Sequence, residues 1–260
     1  MPDTEPVLIR EQRGALLVLR LNRPEARNSL NMELIAQFGA GIVAAEADPG
    51  IRAVVLTGTG DRAFCAGMDL AAFASGEKPT PEQREGLVVF DRFVKGDVAV
   101  PIVGAANATA VAGGFELLLG CDVVVASSEA KFGLPEVKRG LFAAGGGVFL
   151  GTRIPPAVAL EMALTGDSID AERAYALGLV NQVVPPGEVL DAAVAMAERI
   201  ARNGPLGLRA TKELVRLART DPAQAWERQS ILQAEVFGSE DAKEGATAFI
   251  EKRDPVWQGR

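Results

Sequence analysis

The stretch Val111-Ala112-Gly113-Gly114-Phe115-Glu116-Leu117 decides how this chain is interpreted. Glycines at a helix start expose backbone N–H groups, and the helix dipole adds positive potential at that end. Glu116 then opens the apolar run that continues to Leu119. A carboxylate beside apolar residues is costly when ionised, so its pKa tends to rise toward the range useful for proton transfer. The stretch predicts a short helix that begins with N–H donors and an acid, although close strand–helix packing would give the same pattern.

A second acid, Glu136, lies in Phe132-Gly133-Leu134-Pro135-Glu136-Val137 and precedes Gly145-Gly146-Gly147. Taken alone, it would be a solvated acid in a surface turn. Two carboxylates beside glycine-rich turns instead suggest paired acid/base chemistry with backbone N–H groups nearby.

The composition limits the class of protein. Of the 260 residues, 48% are hydrophobic and 23% are charged, which is typical of a globular chain and rules out bulk disorder. Lys and Arg number 27 against 34 Asp and Glu, a formal net charge of -7 that argues against nucleic acid as a partner. The length fits one large domain, or one domain with a small appendage.

The chain contains no histidine, which excludes Ser-His-Asp and Cys-His nucleophile arrangements. Cys65 and Cys121 are the remaining strong zinc ligands, so we predict no metal site. Their spacing indicates reduced thiols and not a disulfide framework. The segment Met1–Pro6 shows no secretory signal, and no apolar stretch reaches membrane-spanning length, so we expect a cytoplasmic protein without a membrane partner.

Hydrophobic periodicity predicts strands alternating with helices and then a helical tail. Strands are expected at 7–10, 15–21, 53–58, 100–103 and 123–125, with a hairpin turn at 12–14 and a loop at 75–81. Asn31 should cap a helix to about residue 46, with Leu34, Phe38, Ile42 and Val43 on one face. Further helices are expected at 157–164, 171–176, 189–202, 206–218, 222–237 and 242–252. We therefore predict an α/β core over 1–195 and a helical region over 196–260.

The segment Gly58-Thr59-Gly60-Asp61-Arg62-Ala63 fits the dinucleotide pattern G-x-G-x-x-A. That pattern needs a long helix at this point and an acid about 20 positions later, at the end of a second strand. Here Gly67 interrupts the segment, and the acid's position falls in the loop at 75–81. A nicotinamide-dependent oxidoreductase therefore stays a minor alternative.

The order of several motifs resembles the crotonase (enoyl-CoA hydratase/isomerase) superfamily. They are Asn22-Arg23-Pro24, Ala63-Phe64-Cys65-Ala66-Gly67-Met68-Asp69-Leu70, the Gly113–Leu117 stretch with Cys121-Asp122, and Ala130-Lys131-Phe132-Gly133-Leu134-Pro135-Glu136. The similarity continues to Phe249-Ile250-Glu251-Lys252-Arg253 and so covers nearly the whole chain. It implies a spiral of ββα units, followed by a helical region that forms a homotrimer or a dimer of trimers.

The resemblance also implies an acyl-CoA thioester substrate and no separate cofactor. By position, the thioester oxygen would be held by the N–H groups of Met68 and Gly113, while Glu116 and Glu136 would handle the water. Contacts with coenzyme A would come from residues of four segments, the last in the same or a neighbouring subunit: Arg23, Ala26 and Arg27; Ala66, Met68, Asp69 and Leu70; Gly113; Phe249 and Lys252. The acyl pocket would be formed by the 72–100 stretch and residues near Phe142.

Three positions depart from the family pattern. Ala112 stands in the first place of a common Gly-Gly-Gly, Asn107-Ala108 replaces a frequent Asn-Gly, and Ala143-Ala144 replaces a Pro-Gly turn. Both acids and both donor positions are kept, so the sequence predicts an enoyl-CoA hydratase of acyl-CoA degradation. A Δ3-Δ2 enoyl-CoA isomerase, another crotonase-family lyase and a non-catalytic acyl-CoA-binding subunit stay open as alternatives.

Overall fold

The computed structural model describes residues 5–75 and 78–260. Residues 1–4 belong to the segment from which we expect no secretory signal, and residues 76–77 belong to the predicted loop at 75–81. Both expectations therefore fall partly outside the described residues.

Nine strands in the described residues form two sheets. In chain order they are β1 (Leu8–Arg13), β2 (Leu16–Leu21), β3 (Ala53–Gly58), β4 (Ile102–Ala106), β5 (Ala110–Val111), β6 (Val123–Ser127), β7 (Lys131–Gly133), β8 (Ile169–Asp170) and β9 (Gln182–Val184). The larger sheet has the order β1-β2-β3-β4-β6-β9, and it is parallel except for the β1–β2 hairpin. The smaller sheet has the order β5-β7-β8.

Ten α-helices accompany these strands in the described ranges. They are α1 (Met32–Ala47), α2 (Leu70–Ser75), α3 (Pro81–Lys95), α4 (Gly113–Gly120), α5 (Pro156–Thr165), α6 (Ala171–Ala176), α7 (Val189–Ala201), α8 (Pro205–Thr220), α9 (Pro222–Phe237) and α10 (Glu240–Glu251). Short 3-10 helices occur at Pro24–Ala26, Pro135–Arg139, Gly147–Thr152 and Pro186–Glu188. None of the described helices is both long enough and apolar enough to cross a membrane.

Both faces of the larger sheet are covered, and every residue of β3 is buried. Successive strand side chains point to opposite faces. Val54 and Leu56 join the core that includes α1 and α4, whereas Val55 packs in a second cluster with Val189 and Ala193 of α7. The sheet is thus a rigid support for the segments that leave its strands.

The C-terminal helices are anchored to the core through Asp122. Its carboxylate forms ion pairs with Lys212, at 2.8 Å, and with Arg216, at 2.7 Å, and it accepts a hydrogen bond from the Ile102 N–H. The predicted domain boundary at 195/196 falls inside α7, a continuous helix that packs on the sheet. The division into two regions stays a prediction.

Most predicted elements are confirmed, with some corrections. Asn31 caps α1 by accepting a hydrogen bond from the Leu34 N–H, but Val43 is 48% exposed and does not share the buried face. The predicted hairpin is confirmed, but its turn lies at Gly14-Ala15, where Gly14 takes a φ of 58°, so the turn predicted at 12–14 begins two residues too early. Helices α2 and α3 were not predicted.

The parallel strands β3 and β4 place the segments that follow them at one edge of the sheet. Residues 59–69 follow β3 and residues 107–112 follow β4, and the two segments meet in a bridge between Cys65 and Ala110. Open parallel sheets bind ligands at the carboxyl ends of their strands. The motifs singled out in the sequence therefore meet at one place.

Candidate active site

Two backbone N–H groups lie side by side where the segments meet. The Leu30 N–H donates to the Gly67 carbonyl at 2.8 Å, and the Asp69 N–H donates to the Leu30 carbonyl at 2.9 Å, which leaves the intervening Met68 N–H outside this pairing. A Cβ placed on Gly113 would lie 3.7 Å from the Met68 nitrogen, and one placed on Gly67 would lie 3.2 Å from the Gly113 nitrogen. At position 67 only glycine allows this approach, because its φ is 92° and a Cβ there would lie 2.6 Å from the Ala112 Cβ.

Neither N–H has a hydrogen-bond acceptor within the described part of the chain. Gly113 is the first residue of α4, so its N–H also carries the positive end of the helix dipole. Met68 and Gly113 thus form a pair of donors that could hold a developing oxyanion.

Glu116 lies one turn into α4 and is held by the glycine run. Only 5% of the residue is exposed, and its Oε1 accepts a hydrogen bond from the Gly147 N–H at 2.8 Å. A Cβ on Gly145 would come within 2.5 Å of Oε2. We call Gly145–Gly147 the glycine cradle, because these residues leave space for the carboxylate and offer it N–H groups.

Glu136 lies in the first turn of the 3-10 helix Pro135–Arg139 and is half-buried. Its Oε2 is buried and has no hydrogen-bond partner in the described residues. A buried polar atom without a partner is costly, and such atoms are common where a substrate is to be bound.

Burial raises the pKa of both acids above the ordinary carboxyl range. For Glu116 the negative charge of Glu136 raises the pKa further, while the N–H groups of Gly147 and Gly145 oppose the rise. For Glu136 the positive charge of Arg139 opposes the effect of burial. The charge of Glu136 acts on the Glu116 carboxyl, so the two acids are near enough to be electrostatically coupled.

The segment predicted to contact coenzyme A adjoins the donor pair. The Ala66 N–H donates to the Arg27 carbonyl at 3.0 Å, which ties the segment Arg23–Asn28 to the segment that carries Met68. Arg23 donates to the Ser29 carbonyl at 2.6 Å and forms an ion pair with Asp69 at 3.0 Å. Arg23 and Asp69 therefore link the two segments, whatever else they contact.

The remaining predicted coenzyme A residues near the donors differ in exposure. Arg27, Met68 and Leu70 are exposed, whereas Ala26 and Ala66 are half-buried. They lie along the same edge as the Gly113 N–H, and their role in binding stays a prediction.

Phe249 and Lys252 lie elsewhere in this chain. Both are exposed, on α10 and at its C-cap, and the tail that follows contacts Arg52, whose Nη2 donates to the Trp257 carbonyl. Arg52 immediately precedes β3, whereas Met68 and Gly113 follow the opposite ends of the strands. The structure thus does not bring Phe249 and Lys252 to the donors of their own chain, and their contact with coenzyme A in a neighbouring subunit stays a prediction.

Two cavities differ in their relation to the acids. One of about 740 Å³ lies between α8, α10 and Pro101, at the end of the sheet away from the acids. Another of about 260 Å³ borders the glycine cradle and is lined by Val94, Leu119 and Phe149. Val94 belongs to the 72–100 stretch and Ala144 lies near Phe142, and both regions are predicted to form the acyl pocket, whereas Phe142 itself is 67% exposed and does not line this cavity.

Sequence reasoning missed the partners of the acids. The glycine cradle is visible as a run of glycines, but its contact with Glu116 joins residues 31 positions apart. The described residues contain no cluster of three or more His, Cys, Asp or Glu side chains that could hold a metal ion. After β3 no helix begins until Leu70, which argues against the dinucleotide interpretation of the Gly58–Ala63 segment.

Known proteins match this chain over nearly its full length. The family model described as enoyl-CoA hydratase/isomerase matches residues 11–260. A carnitinyl-CoA dehydratase from Proteus mirabilis is 38% identical over 256 residues, covering 95% of this chain and 97% of its own.

Solved structures give the same result. An enoyl-CoA hydratase from Mycobacterium tuberculosis superimposes with a TM-score of 0.91 at 45% identity, covering 98% of this chain and 100% of its own. A carnitinyl-CoA hydratase from Mycobacterium avium superimposes with a TM-score of 0.78 at 43% identity, covering 99% of this chain and 100% of its own.

Proposed function

Because the chain belongs to the enoyl-CoA hydratase/isomerase family, the crotonase superfamily, we propose that it adds water to 2-enoyl-CoA thioesters and gives 3-hydroxyacyl-CoA products. The predicted crotonase-like fold is confirmed by solved relatives at a TM-score of 0.91. The chain is therefore an enzyme of this family that processes acyl-CoA. Its substrate and the roles of its residues are what we propose here.

The donor pair supplies the first part of the mechanism. The thioester oxygen would accept hydrogen bonds from the Met68 and Gly113 N–H groups, which draws electron density from the conjugated double bond. Negative charge that develops on the oxygen during addition meets donors already in place. Removing one such donor typically costs about 10²–10³ in kcat.

The acids supply the second part. Glu116, held by the glycine cradle, would take a proton from water as the oxygen bonds to Cβ of the substrate. Glu136 would give its proton to Cα, so that one water molecule is added in total. After the addition Glu116 is protonated and Glu136 is ionised, the reverse of their starting states. Proton exchange with solvent restores both.

One observation carries this proposal. Two carboxyls with raised pKa values, Glu116 and Glu136, share one site with two adjacent N–H donors that have no acceptor in the described chain. A one-base isomerase has no task for a second acid.

The names of relatives favour carnitinyl-CoA as a second candidate substrate, by the same chemistry. Its acyl group ends in a quaternary ammonium. The cavity beside the glycine cradle, where we place the acyl chain, is lined by four cationic side chains and one acid: Lys95, Arg153, Arg216, Arg219 and Asp91. Lys95 is paired with Asp91 and Arg216 with Asp122, whereas Arg153 and Arg219 form no ion pair among the described residues. This charge balance disfavours a cationic tail, so we expect an uncharged acyl chain to be preferred.

The experiment is a hydration assay on a panel of 2-enoyl-CoA thioesters, with crotonobetainyl-CoA as the cationic member. Loss of the conjugated thioester absorbance measures the rate. We expect the uncharged members to have the higher kcat/KM. Equal or higher values for the cationic member would overturn the preference, and no hydration of any member would overturn the proposed function.

A further inference from the structure

Ala112, which immediately precedes the Gly113 donor, has a backbone conformation that alanine rarely adopts. Its φ is 52° and its ψ is -133°. Arg27 and Lys252 also have positive φ, but their ψ values of 38° and 42° lie in the left-handed helical region that side chains can reach. The Ala112 values instead lie where glycine is strongly favoured, because a Cβ clashes with the backbone there.

Surrounding contacts hold Ala112 in this conformation. Its N–H donates to the Gly133 carbonyl at 3.0 Å, and its carbonyl accepts from the N–H groups of Phe115, at 2.9 Å, and Glu116, at 3.0 Å. Strained residues persist only where such contacts over-determine them, and they concentrate at functional sites.

The Ala112 methyl group lies against the other donor segment. A Cβ placed on Gly67 would be only 2.6 Å from the Ala112 Cβ, so the methyl occupies space that a side chain at 67 would need. Gly67 directly precedes Met68. The methyl therefore sets the separation between the two segments that carry the N–H donors.

The ψ angle of Ala112 orients the peptide group that carries the Gly113 N–H. We propose that Ala112 is a positioning residue, whose strained backbone and methyl contact with Gly67 hold the Gly113 N–H in register with the Met68 N–H. The inference rests on the proposed function, since it concerns the donors that would bind the thioester oxygen. With alanine at position 112, the Met68 and Gly113 N–H groups are held more firmly in place than they would be with glycine there.

The test is Ala112→Gly. Glycine adopts these angles without strain, so the melting temperature should rise by about 2–4 °C, the shift for a small gain in stability in a chain of this size. Without the methyl contact, the Gly113 N–H can turn away from its alignment with the Met68 N–H. We expect kcat to fall by about tenfold, less than for complete loss of a donor, with KM little changed.

A spectrum separates positioning from a merely structural effect. Polarisation of the thioester carbonyl by the donors shifts the absorbance of a bound aryl-conjugated enoyl-CoA to longer wavelength. The shift should be smaller in Ala112→Gly than in the wild type. The control is Ala126→Gly, a buried position in β6 with ordinary φ, which should lower the melting temperature and leave both kcat and the spectral shift unchanged.

Each other result has a definite meaning. Unchanged kcat and an unchanged spectral shift in Ala112→Gly would overturn the positioning role, even if the melting temperature rose. A lower melting temperature would overturn the claim of strain. A wild-type protein that neither hydrates enoyl-CoA nor shifts the spectrum would overturn the proposed function itself, and the positioning role with it.

Discussion

At the scale of single residues, the proposed chemistry depends on Glu116 and Glu136. Glu116 is nearly inaccessible and is fixed by backbone N–H groups, whereas Glu136 is half-buried with one oxygen lacking a partner. A fixed, buried carboxylate suits the orientation of water. A carboxyl with one oxygen that has no hydrogen-bond partner suits proton delivery to a bound substrate.

Glu116→Gln and Glu136→Gln should each lower kcat for hydration by ~10² or more, the usual contribution of one acid/base group. Glutamine nearly preserves the shape, so circular dichroism should show an intact fold. Steady-state assays on a short enoyl-CoA measure the effect. If either variant works at the wild-type rate, the role of that residue is wrong.

The pH dependence follows from the raised pKa values of both acids. Glu116 acts ionised, so kcat/KM should fall as the pH drops through its pKa, and burial places this limb above the ordinary value of 4.5. Glu136 acts protonated, so kcat/KM should fall as the pH rises through its pKa, which is also above 4.5. We expect a bell-shaped profile whose two limbs belong to the coupled pair.

The Glu136→Gln variant provides the check on this assignment. Its residual activity should lose the alkaline limb and keep the acidic limb, because Glu116 still has to be ionised. An acidic limb at or below 4.5 in the wild type would contradict the effect of burial on Glu116.

The sequence predicted these two acids and the donor positions, since each motif is local in the chain. It did not predict their partners. The ion pair of Arg23 with Asp69 joins residues 46 positions apart, and the strained backbone of Ala112 is held by contacts with Gly133 and Gly67. Contacts of this kind depend on how strands are arranged, which local patterns do not encode.

At the scale of elements, the glycine cradle determines where the Glu116 carboxylate lies. Gly145→Ala would bring a methyl group within 2.5 Å of Oε2. Because the carboxylate must move, we expect kcat to fall by ~10²-fold, the scale for a displacement of about 1 Å in a catalytic group. Kinetics and the acidic limb of the pH profile measure the change.

Gly187→Ala is the matched control, since nothing lies within 4 Å of the added Cβ and its φ is not positive. It should retain wild-type kcat. Full activity in Gly145→Ala would show that the cradle does not hold Glu116 in the working enzyme.

The helix α3 shows what the sequence could have revealed. Thr80 and Gln83 form a capping box, with Pro81 at the first helical position and Gly96 at the C-cap. These are recognised start and stop signals. Leu87, Phe90 and Val94 follow at helical spacing and pack against the core, so the periodicity of the sequence also supports this helix.

At the scale of the whole molecule, the C-terminal helices expose much apolar surface. Val215, Phe237 and Ile250 are 67%, 72% and 79% exposed, and Phe249 is 86% exposed. Other large apolar residues of these helices differ in exposure. Ile231 and Phe249 are exposed, whereas Leu206, Leu214, Leu217 and Val236 are partly buried.

We predict a homotrimer or a dimer of trimers, because patches of this kind are rarely left open to water. Light scattering at micromolar concentration should give the mass of three or six copies, and a monomer would contradict the prediction. A Phe237→Glu/Ile250→Glu double variant should shift the protein toward smaller species. Lys243→Glu, an exposed substitution on α10, is the control and should leave the mass unchanged.

The central claim is that two acids and two N–H donors add water to an enoyl-CoA. The most direct measurement uses ¹⁸O-labelled water with matched 2-enoyl-CoA and 3-enoyl-CoA substrates, followed by mass spectrometry of the products. We predict that the 2-enoyl-CoA is consumed faster, that its β-hydroxyl carries the label, and that Glu116→Gln greatly slows label incorporation. A protein that isomerises 3-enoyl-CoA efficiently and incorporates no label would contradict the claim.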